Sequence, residues 1–270
     1  MMRSLYAAVS GLQVHQSLMD VLSNNIANVN TTGFKKSTVT FQDMLSQTIQ
    51  GAQAASTAGG IGGINAQQIG LGVQTGAITD IQTQGAASTT GNGTDLMIQG
   101  EGYFILTDGT NKFYTRAGAF TLDDKGNLVS SANGMKLCDS TGTVLAPITG
   151  SSISIASDGT ITTTISGTST AFGQKIGLAT FSNTAGLVKV GDNMYTEGSA
   201  SGAAEPTAPG NAGTSGRTPG TLIAGALEMS NVDLAQEFVN MIVAERGYQA
   251  NSKAIQTADS MLDTLIQTKR

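Results

Sequence analysis

Two places in the sequence carry side chains of types used in catalysis or metal binding. His15 is the only histidine, and with no cysteine or carboxylate motif around it, it is predicted to be an ordinary helix residue and not a ligand or general base. Asp123 and Asp124 form a carboxylate pair, but Lys125-Gly126-Asn127 follows directly. That order is typical of a hairpin turn, and the loop spacing of an EF-hand calcium site is absent.

Two further motifs have an ordinary structural interpretation. Gly70-Leu71-Gly72 is not followed by a helix carrying Lys and Ser or Thr, so it does not predict a phosphate loop. Cys138 is the only cysteine, which excludes an internal disulfide and favours a small buried apolar side chain. The sequence therefore predicts no catalytic residue, no metal ligand, no cofactor and no small-molecule substrate, and the protein is not expected to be an enzyme.

The composition points to a protein whose surfaces are covered by neighbours. Charged residues make up 12% of the 270 residues, Gly occurs 35 times, and the net charge is −5. A low charge suits surfaces that lose water on assembly, because an unpaired charge is costly to bury. The negative balance, with no basic stripe, argues against nucleic acid as a partner. No secretory signal and no membrane span are predicted, so export, if it occurs, is expected to use another route.

Both ends of the chain are predicted to form amphipathic helices. Apolar residues recur there at spacings of three and four. The predicted seam consists of Leu5, Val9, Leu12, Met19, Leu22 and Ile26 in the first helix and Leu234, Phe238, Met241, Tyr248, Ile255, Leu262 and Leu265 in the second. Ser230 or Asn231 is the expected cap of the second helix. Because a narrow apolar stripe does not stabilise a lone helix, the two helices are expected to pair.

Between the helices, short apolar runs alternate with turn sequences, which predicts an antiparallel β domain at 73–200. Segments 35–72 and 201–229 are poor in charge or rich in Gly and Pro, and are predicted to be linkers. The expected order is a helix at 1–34, a linker, the β domain, a linker with a return segment, and a helix at 230–270. The fold class is α+β: paired long terminal helices, as a coiled coil, with a central antiparallel β domain.

Several long motifs resemble one family in the family's own order. Residues 24–36 read NNIANVNTTGFKK, which resembles the signature of the flagellar rod and hook axial proteins. MSNVDL at 229–234 and RGYQANSK at 246–253 resemble the matching C-terminal end, and GEGYF at 100–104 resembles part of the β domain. The motif residues singled out are Asn24, Asn25, Asn28, Gly33, Phe34, Asn231 and Asn251.

The resemblance implies a structural subunit that polymerises into a hollow helical tube. In that family the terminal helices pair in an inner layer and the β domain lies outside. The implied partners are further copies of the chain, the distal rod protein, the hook cap, the hook–filament junction proteins and the flagellar export apparatus. The implied location is the bacterial flagellum, in the hook or basal body and outside the cell after flagellar type III export.

Within the family, the motifs favour the hook, a curved tube that transmits motor torque as a universal joint. FQDM at 41–44 and GALEM at 225–229 resemble the hook protein more than the distal rod protein. The length is that of a distal rod protein, a straight drive shaft, so the rod remains the alternative. A secreted β-rich adhesin is a remote alternative, since it needs no paired terminal helices.

Overall fold

The computed structural model describes residues 2–54, 62–149, 152–165, 168–213 and 216–268. The chain divides into two compact units. The helical unit comprises Met1–Ile26, Ser37–Thr79 and Asp233–Arg270. The β unit comprises Ala27–Lys36 and Asp80–Val232. Neither of the two described helices is long and apolar enough to cross a membrane.

The helical unit contains both helices and a long hairpin. Its elements are α1 (Met2–Ala27), β1 (Ser37–Asp43), β2 (Ser46–Gln50), β3 (Gln67–Gly70), β4 (Val73–Asp80) and α2 (Leu234–Thr268). At 1.5 Å per residue, the 35 residues of α2 extend over roughly 50 Å. The two helices pack together, as the sequence predicts.

The cap of α2 differs from the expected one. Asp233 Oδ1 accepts hydrogen bonds from Ala235 N at 2.9 Å and Gln236 N at 3.4 Å, and this satisfies two of the free donors of the first turn. Asn231 cannot serve as the cap because its side chain binds other backbone groups: Oδ1 accepts from Lys36 N and Nδ2 donates to Ile81 O. Asp233 therefore both starts the helix and places a negative charge at its N-terminus.

The predicted linker at 35–72 contains strands. β1 pairs with β4, and β2 pairs antiparallel with β3, so that the chain leaves and returns along one hairpin. Gln53 and Ile64 add an isolated antiparallel bridge beyond β2 and β3. All side chains of β2 and β3 and most of those of β4 are exposed, so the segment lacks the apolar alternation that would have identified its strands. The glycines at 59 and 60 lie outside the described residues.

The β unit is built from short antiparallel strands. Its strands are β5 (Ala87–Thr89), β6 (Leu96–Gln99), β7 (Tyr103–Thr107), β8 (Lys112–Thr115), β9 (Phe120–Leu122), β10 (Leu128–Ser130), β11 (Lys136–Leu137), β12 (Ser152–Ile155), β13 (Thr160–Ile165), β14 (Thr168–Lys175), β15 (Leu178–Thr180), β16 (Val188–Gly191), β17 (Met194–Thr196), β18 (Glu205–Thr207), β19 (Thr221–Ala224) and β20 (Ala226–Glu228). A short 3₁₀ helix, Thr184–Gly186, follows β15.

The largest sheet has nine strands, in the order β16-β17-β8-β7-β11-β10-β9, with β15 joining β7 to β18. β12, β13 and β14 form a second sheet, while β19 pairs with β6 and β20 with β5. These last two pairs join the segment before α2 to strands near the start of the unit. The second predicted linker, 201–229, is therefore largely built into the β unit through β18, β19 and β20.

Two apolar clusters form the core of the β unit. The larger cluster includes Leu96, Phe104, Phe120 and Leu178, all with at most 1% of their surface exposed. The smaller cluster includes Cys138 and four aromatic residues, Tyr103, Tyr114, Phe181 and Tyr195. The aromatic rings meet edge to face. The predicted short antiparallel strands are confirmed. The core receives side chains from β6, β7, β8, β9, β12 and β13, each of which coincides with a short apolar run in the sequence.

We predict that residues 27–232 fold without α1, α2 and the hairpin. The β unit has its own two apolar clusters, and both of its terminal segments are hydrogen-bonded within it. The fragment should show a single cooperative urea unfolding transition, followed by far-UV circular dichroism. A fragment lacking 225–232 as well is the control and should lose cooperativity, because β20 and Glu228 are then missing. A non-cooperative transition of fragment 27–232 would show that the unit depends on the helices.

Candidate functional site

The two helices run antiparallel through contacts that fix their register. Asn25 near the end of α1 donates from Nδ2 to Glu237 Oε2 at 3.4 Å, at the start of α2. A methyl group placed on Gly11 would lie 2.6 Å from Asn251 Nδ2, and one placed on Gly247 would lie 2.5 Å from the His15 ring. Residue numbers rise along one helix as they fall along the other.

The contact face of α2 is made of small and polar residues. Glu237, Ala244 and Ala258 are buried, and Asn251 is half-buried between them, so every seventh residue points towards the interior of the unit. The buried residues of α1 are Ala8, Gly11, Val14, Leu22 and Asn25. Small side chains let two helices approach closely, since the distance between helix axes depends on the side chains at the contact.

The predicted seam residues fall into three classes: buried, half-buried and exposed. Leu22 is buried. The half-buried ones are Leu5, Leu12, Met19, Ile26, Met241, Ile255 and Leu262. The exposed ones are Val9, Leu234, Phe238, Tyr248 and Leu265. Half or more of the surface of Phe238 and Leu265 is accessible, so these side chains are not used by the helix pair within one chain.

Exposed apolar surface is concentrated on the helical unit. Among the described residues, the exposed large apolar side chains of the β unit are Leu122, Val144, Val188, Val190 and Ile223. Those of the helical unit are Met2, Tyr6, Val9, Phe41, Met44, Leu45, Ile49, Ile64, Ile69, Leu71, Ile78, Leu234, Phe238, Val239, Ile242, Val243, Tyr248, Met261, Leu265 and Ile266. Apolar exposure on this scale marks a surface for association.

The motif residue Asn25 joins three elements of the helical unit. It is fully buried, its Nδ2 donates to Ser37 O at 2.9 Å, and its Oδ1 accepts from Ser37 N at 3.1 Å. Together with the bond to Glu237, these contacts fasten the end of α1 to the first residue of β1 and to α2. Asn24 is exposed, and Asn251 lies against Gly11.

The remaining motif residues lie in the β unit. Asn28 accepts from the Thr31 backbone N–H at 3.2 Å. Gly33 has a φ of 71°, and a methyl group there would lie 2.5 Å from Ala117 N, so both its conformation and its space require glycine. Phe34 is buried, with Lys189 Nζ 5.4 Å from its ring centre. Asn231 fastens the return segment to Lys36 and Ile81.

A buried ionic cluster around Glu228 connects the two ends of the β unit. Lys35 Nζ lies 2.5 Å from Glu228 Oε1, and Arg116 Nη1 lies 3.3 Å from Oε2. Gly85 N donates to Oε1 at 2.9 Å, and Lys35 also donates to Thr83 O at 2.7 Å. The side chains of Lys35 and Glu228 have no accessible surface. Charges buried in this way are stable only while each keeps its partners.

The pKa shifts of the buried groups in the β unit have structural causes. Burial lowers the pKa of Lys35, and the hydrogen bond to Glu228 partly opposes this. Burial also raises the pKa of Cys138 to about 11, so its thiol stays protonated and reacts poorly at neutral pH. Among the described residues, no group of three or more His, Cys, Asp or Glu side chains is arranged to hold a metal ion.

Sequence reasoning missed the small-residue face and the ionic cluster. Gly11 and Gly247 carried a usable signal, because glycine inside a helical pattern costs about 1 kcal/mol relative to alanine and therefore indicates a close contact. Lys35 and Glu228 lie inside motifs of a chain with few charges, but no local pattern pairs residues so far apart in sequence.

Comparison with known families places three parts of the chain in related flagellar families. Residues 5–35 match a family described as flagella basal body rod protein. Residues 97–163 match the flagellar hook protein FlgE/F/G D1 domain. Residues 223–268 match the flagellar basal body rod FlgEFG protein C-terminal family.

Individual relatives include both rod and hook proteins. The flagellar basal-body rod protein FlgG of Bacillus subtilis (strain 168) is 48% identical over 271 residues, covering 100% of both chains. FlgG of Caulobacter vibrioides is 39% identical over 271 residues, covering 99% of this chain and 100% of that protein. The flagellar hook protein FlgE of Borreliella burgdorferi is 56% identical over 137 residues, which cover 51% of this chain and 30% of that protein.

We predict that Glu228→Gln strongly destabilises the β unit. The substitution keeps the shape of the side chain but leaves Lys35 and Arg116 buried without their counter-charge. The unfolding free energy from urea titration should fall by about 3–5 kcal/mol. The control is Asp158→Asn, which breaks the exposed pair with Lys175 and should cost at most about 1 kcal/mol. Equally small losses in both variants would contradict the assigned role of the cluster.

The close approach of the helices is tested by Gly247→Ala. The added methyl group meets the His15 ring, and this overpacking should cost about 1–3 kcal/mol, more than the gain in helix propensity of about 1 kcal/mol. Far-UV circular dichroism melting should therefore show a lower transition temperature for the helical unit. The double variant His15→Ala/Gly247→Ala removes the obstacle and should recover most of the loss. A Gly247→Ala protein as stable as the parent would rule out the close contact.

Proposed function

Because the chain belongs to the family of flagellar basal-body rod and hook proteins, we propose that it is the distal rod subunit of a bacterial flagellum. Its relatives are structural proteins of the flagellum, and the flagellum is its location. The proposed activity is polymerisation into a straight, hollow drive shaft.

The observation that carries the choice of rod over hook is coverage. The relatives named as rod proteins match this chain from end to end, with 48% identity in the Bacillus subtilis protein. The Borreliella burgdorferi hook protein is more similar locally, at 56%, but only 30% of its length takes part. The motifs shared with hook proteins are consistent with both, since hook and rod proteins have related terminal segments. The curved hook tube stays as the second candidate.

The distribution of apolar surface supports polymerisation through the helical unit. A monomer in water would expose Phe238, Val239, Ile242 and Val243 on successive turns of α2. Only about half of each side chain is exposed, so covering it contributes on the order of 1 kcal/mol per residue. Neighbouring copies can supply that cover, so association lowers the free energy of a surface that folding leaves open.

The helices are proposed to pair as a coiled coil within each subunit and to form the inner layer of the tube. The seven-residue spacing of Glu237, Ala244, Asn251 and Ala258 supports this pairing. The exposed seam residues Phe238, Tyr248 and Leu265 are then the contacts to neighbouring copies. The β unit, with few exposed apolar side chains, is proposed as the outer layer.

Polymerisation is expected to depend on the helices and not on the β unit. Phe238→Asp and Val188→Asp each place a carboxylate on an apolar site with about half its surface exposed, one in each unit. Both monomers should fold normally. Phe238→Asp should raise the protein concentration needed for assembly by about tenfold or more, whereas Val188→Asp should change it little. Sedimentation and electron microscopy measure this. Assembly that is impaired by Val188→Asp alone would contradict the proposal.

Tube shape and complementation separate rod from hook. Electron micrographs of purified assemblies should show straight tubes. Expressed in Bacillus subtilis strains lacking either the rod protein FlgG or the hook protein, the chain should restore swimming only to the first. Curved tubes, or rescue of the hook strain alone, would establish the hook function, and a lack of any assembly would overturn both.

A further inference from the structure

The C-terminal end of α2 extends beyond its partner helix. The antiparallel register set by Asn25–Glu237, Gly11–Asn251 and His15–Gly247 places Met2, the first described residue of α1, beside Ser260. Residues 261–268 therefore continue past the described part of α1 for roughly 12 Å. We call this segment the overhang.

The overhang carries an uncovered apolar patch. Met261, Leu265 and Ile266 expose 51%, 52% and 66% of their surface, and Leu262 is half-buried. Their spacing of one, four and five residues places them on one side of the helix. Asp263 lies between them in sequence and makes no ion pair within the described part of the chain.

A groove elsewhere on the helical unit has matching chemistry. It has a volume of about 710 Å³ and lies between the first turns of α1 and the hairpin segment. Its apolar walls include Tyr6, Val9, Met44 and Leu71, all exposed. Arg3 also lines the groove and makes no ion pair among the described residues. The hydrogen bond from Val73 N to Ser10 Oγ, 3.3 Å long, holds the two walls together.

We propose that the overhang of one copy docks into this groove on the next copy. The inference rests on the proposed polymerisation and names one of its contacts. The chain's own overhang cannot reach the groove, because α2 is an uninterrupted helix through Thr268 and continues away from the groove past Met2. A second copy of the chain carries the same overhang, and that overhang is the occupant proposed for the groove.

The overhang and the groove match in both apolar surface and charge. Leu265 and Ile266 would cover Val9 and Leu71, removing exposed apolar surface from both copies. Arg3, which lines the groove, would pair with Asp263 of the overhang, so that the contact joins opposite charges.

The contact explains why assembly is open-ended. Overhang and groove are different surfaces of the same chain, so the contact is heterologous: each copy offers a free groove or overhang after binding. Heterologous contacts that do not close a ring produce helical filaments. The docking thus stabilises the assembly and also gives it a polarity, because every overhang points the same way along the tube.

Cysteine cross-linking tests the contact directly. In a Cys138→Ser background, full-length chains carrying Leu265→Cys or Leu71→Cys are mixed at assembling concentration and oxidised mildly. A disulfide-linked dimer should form in the mixture and not in either chain alone. The control mixture pairs Leu265→Cys with Val188→Cys, an exposed site on the β unit, and should give no dimer. Cross-linking equal to that control would overturn the proposal.

A charge exchange supplies the second test. Arg3→Glu and Asp263→Arg should each raise the assembly concentration about threefold to tenfold, and the double variant should return it towards the parent value. Tubes that form normally from both single variants, without the cross-link, would refute the docking and leave the rod function standing. A parent chain that forms no assembly under any condition, even though its monomer is folded, would overturn the docking and the rod function together.

Discussion

The carboxylate of Glu228 is the buried charge around which the two ends of the β unit close. It receives Lys35 from the segment after α1, Arg116 from the sheet, and the Gly85 backbone N–H. The Glu228 backbone also accepts from Gly33 N at 2.8 Å. Because an unpaired buried charge is so costly, the segment that leaves α1 and the segment that leads to α2 must enter and leave the unit side by side. Within the helical unit, the end of α1 and the start of α2 also lie close together, where Asn25 Nδ2 donates to Glu237 Oε2.

The facing sides and the outer sides of α1 and α2 have different functions. Glycine and alanine on the facing sides, such as Gly11 and Ala244, bring α1 and α2 together within one chain. Several large apolar side chains of α2, among them Phe238, Ile242 and Ile266, lie on the outer side, where a single chain leaves them in water. The helix pair thus buries small residues together with Val14 and Leu22, and it leaves part of the large apolar surface of α2 exposed. This separation keeps the intramolecular pair specific while retaining a strong driving force for association.

Much of this organisation could be predicted from the sequence, and the missing parts have physical reasons. The short core strands were predictable because, like β7, they are brief apolar runs bounded by turn residues, and the helices because their apolar residues recur at spacings of three and four. The hairpin at 37–80 was not, because its side chains are exposed on both faces and carry no alternating pattern. The predicted seam overlooked Ala8, Gly11 and Gly247 because it assumed that the largest side chains face the partner helix. Long-range pairs such as Lys35–Glu228 could not be predicted, because no local sequence pattern indicates them.

The contact between Asn25 and Glu237 joins residues 212 positions apart, and this separation has a consequence for the order in which the chain folds. Synthesis from the N-terminus delivers every residue of the β unit before any of α2, so that unit can acquire its structure while the last helix is still unmade. The first helix meanwhile has no partner and is too poor in stabilising contacts to persist alone. The association-prone surface of the helix pair is therefore completed after the β unit, once α2 has been made. A growing chain on the ribosome has no finished site through which to join its neighbours prematurely.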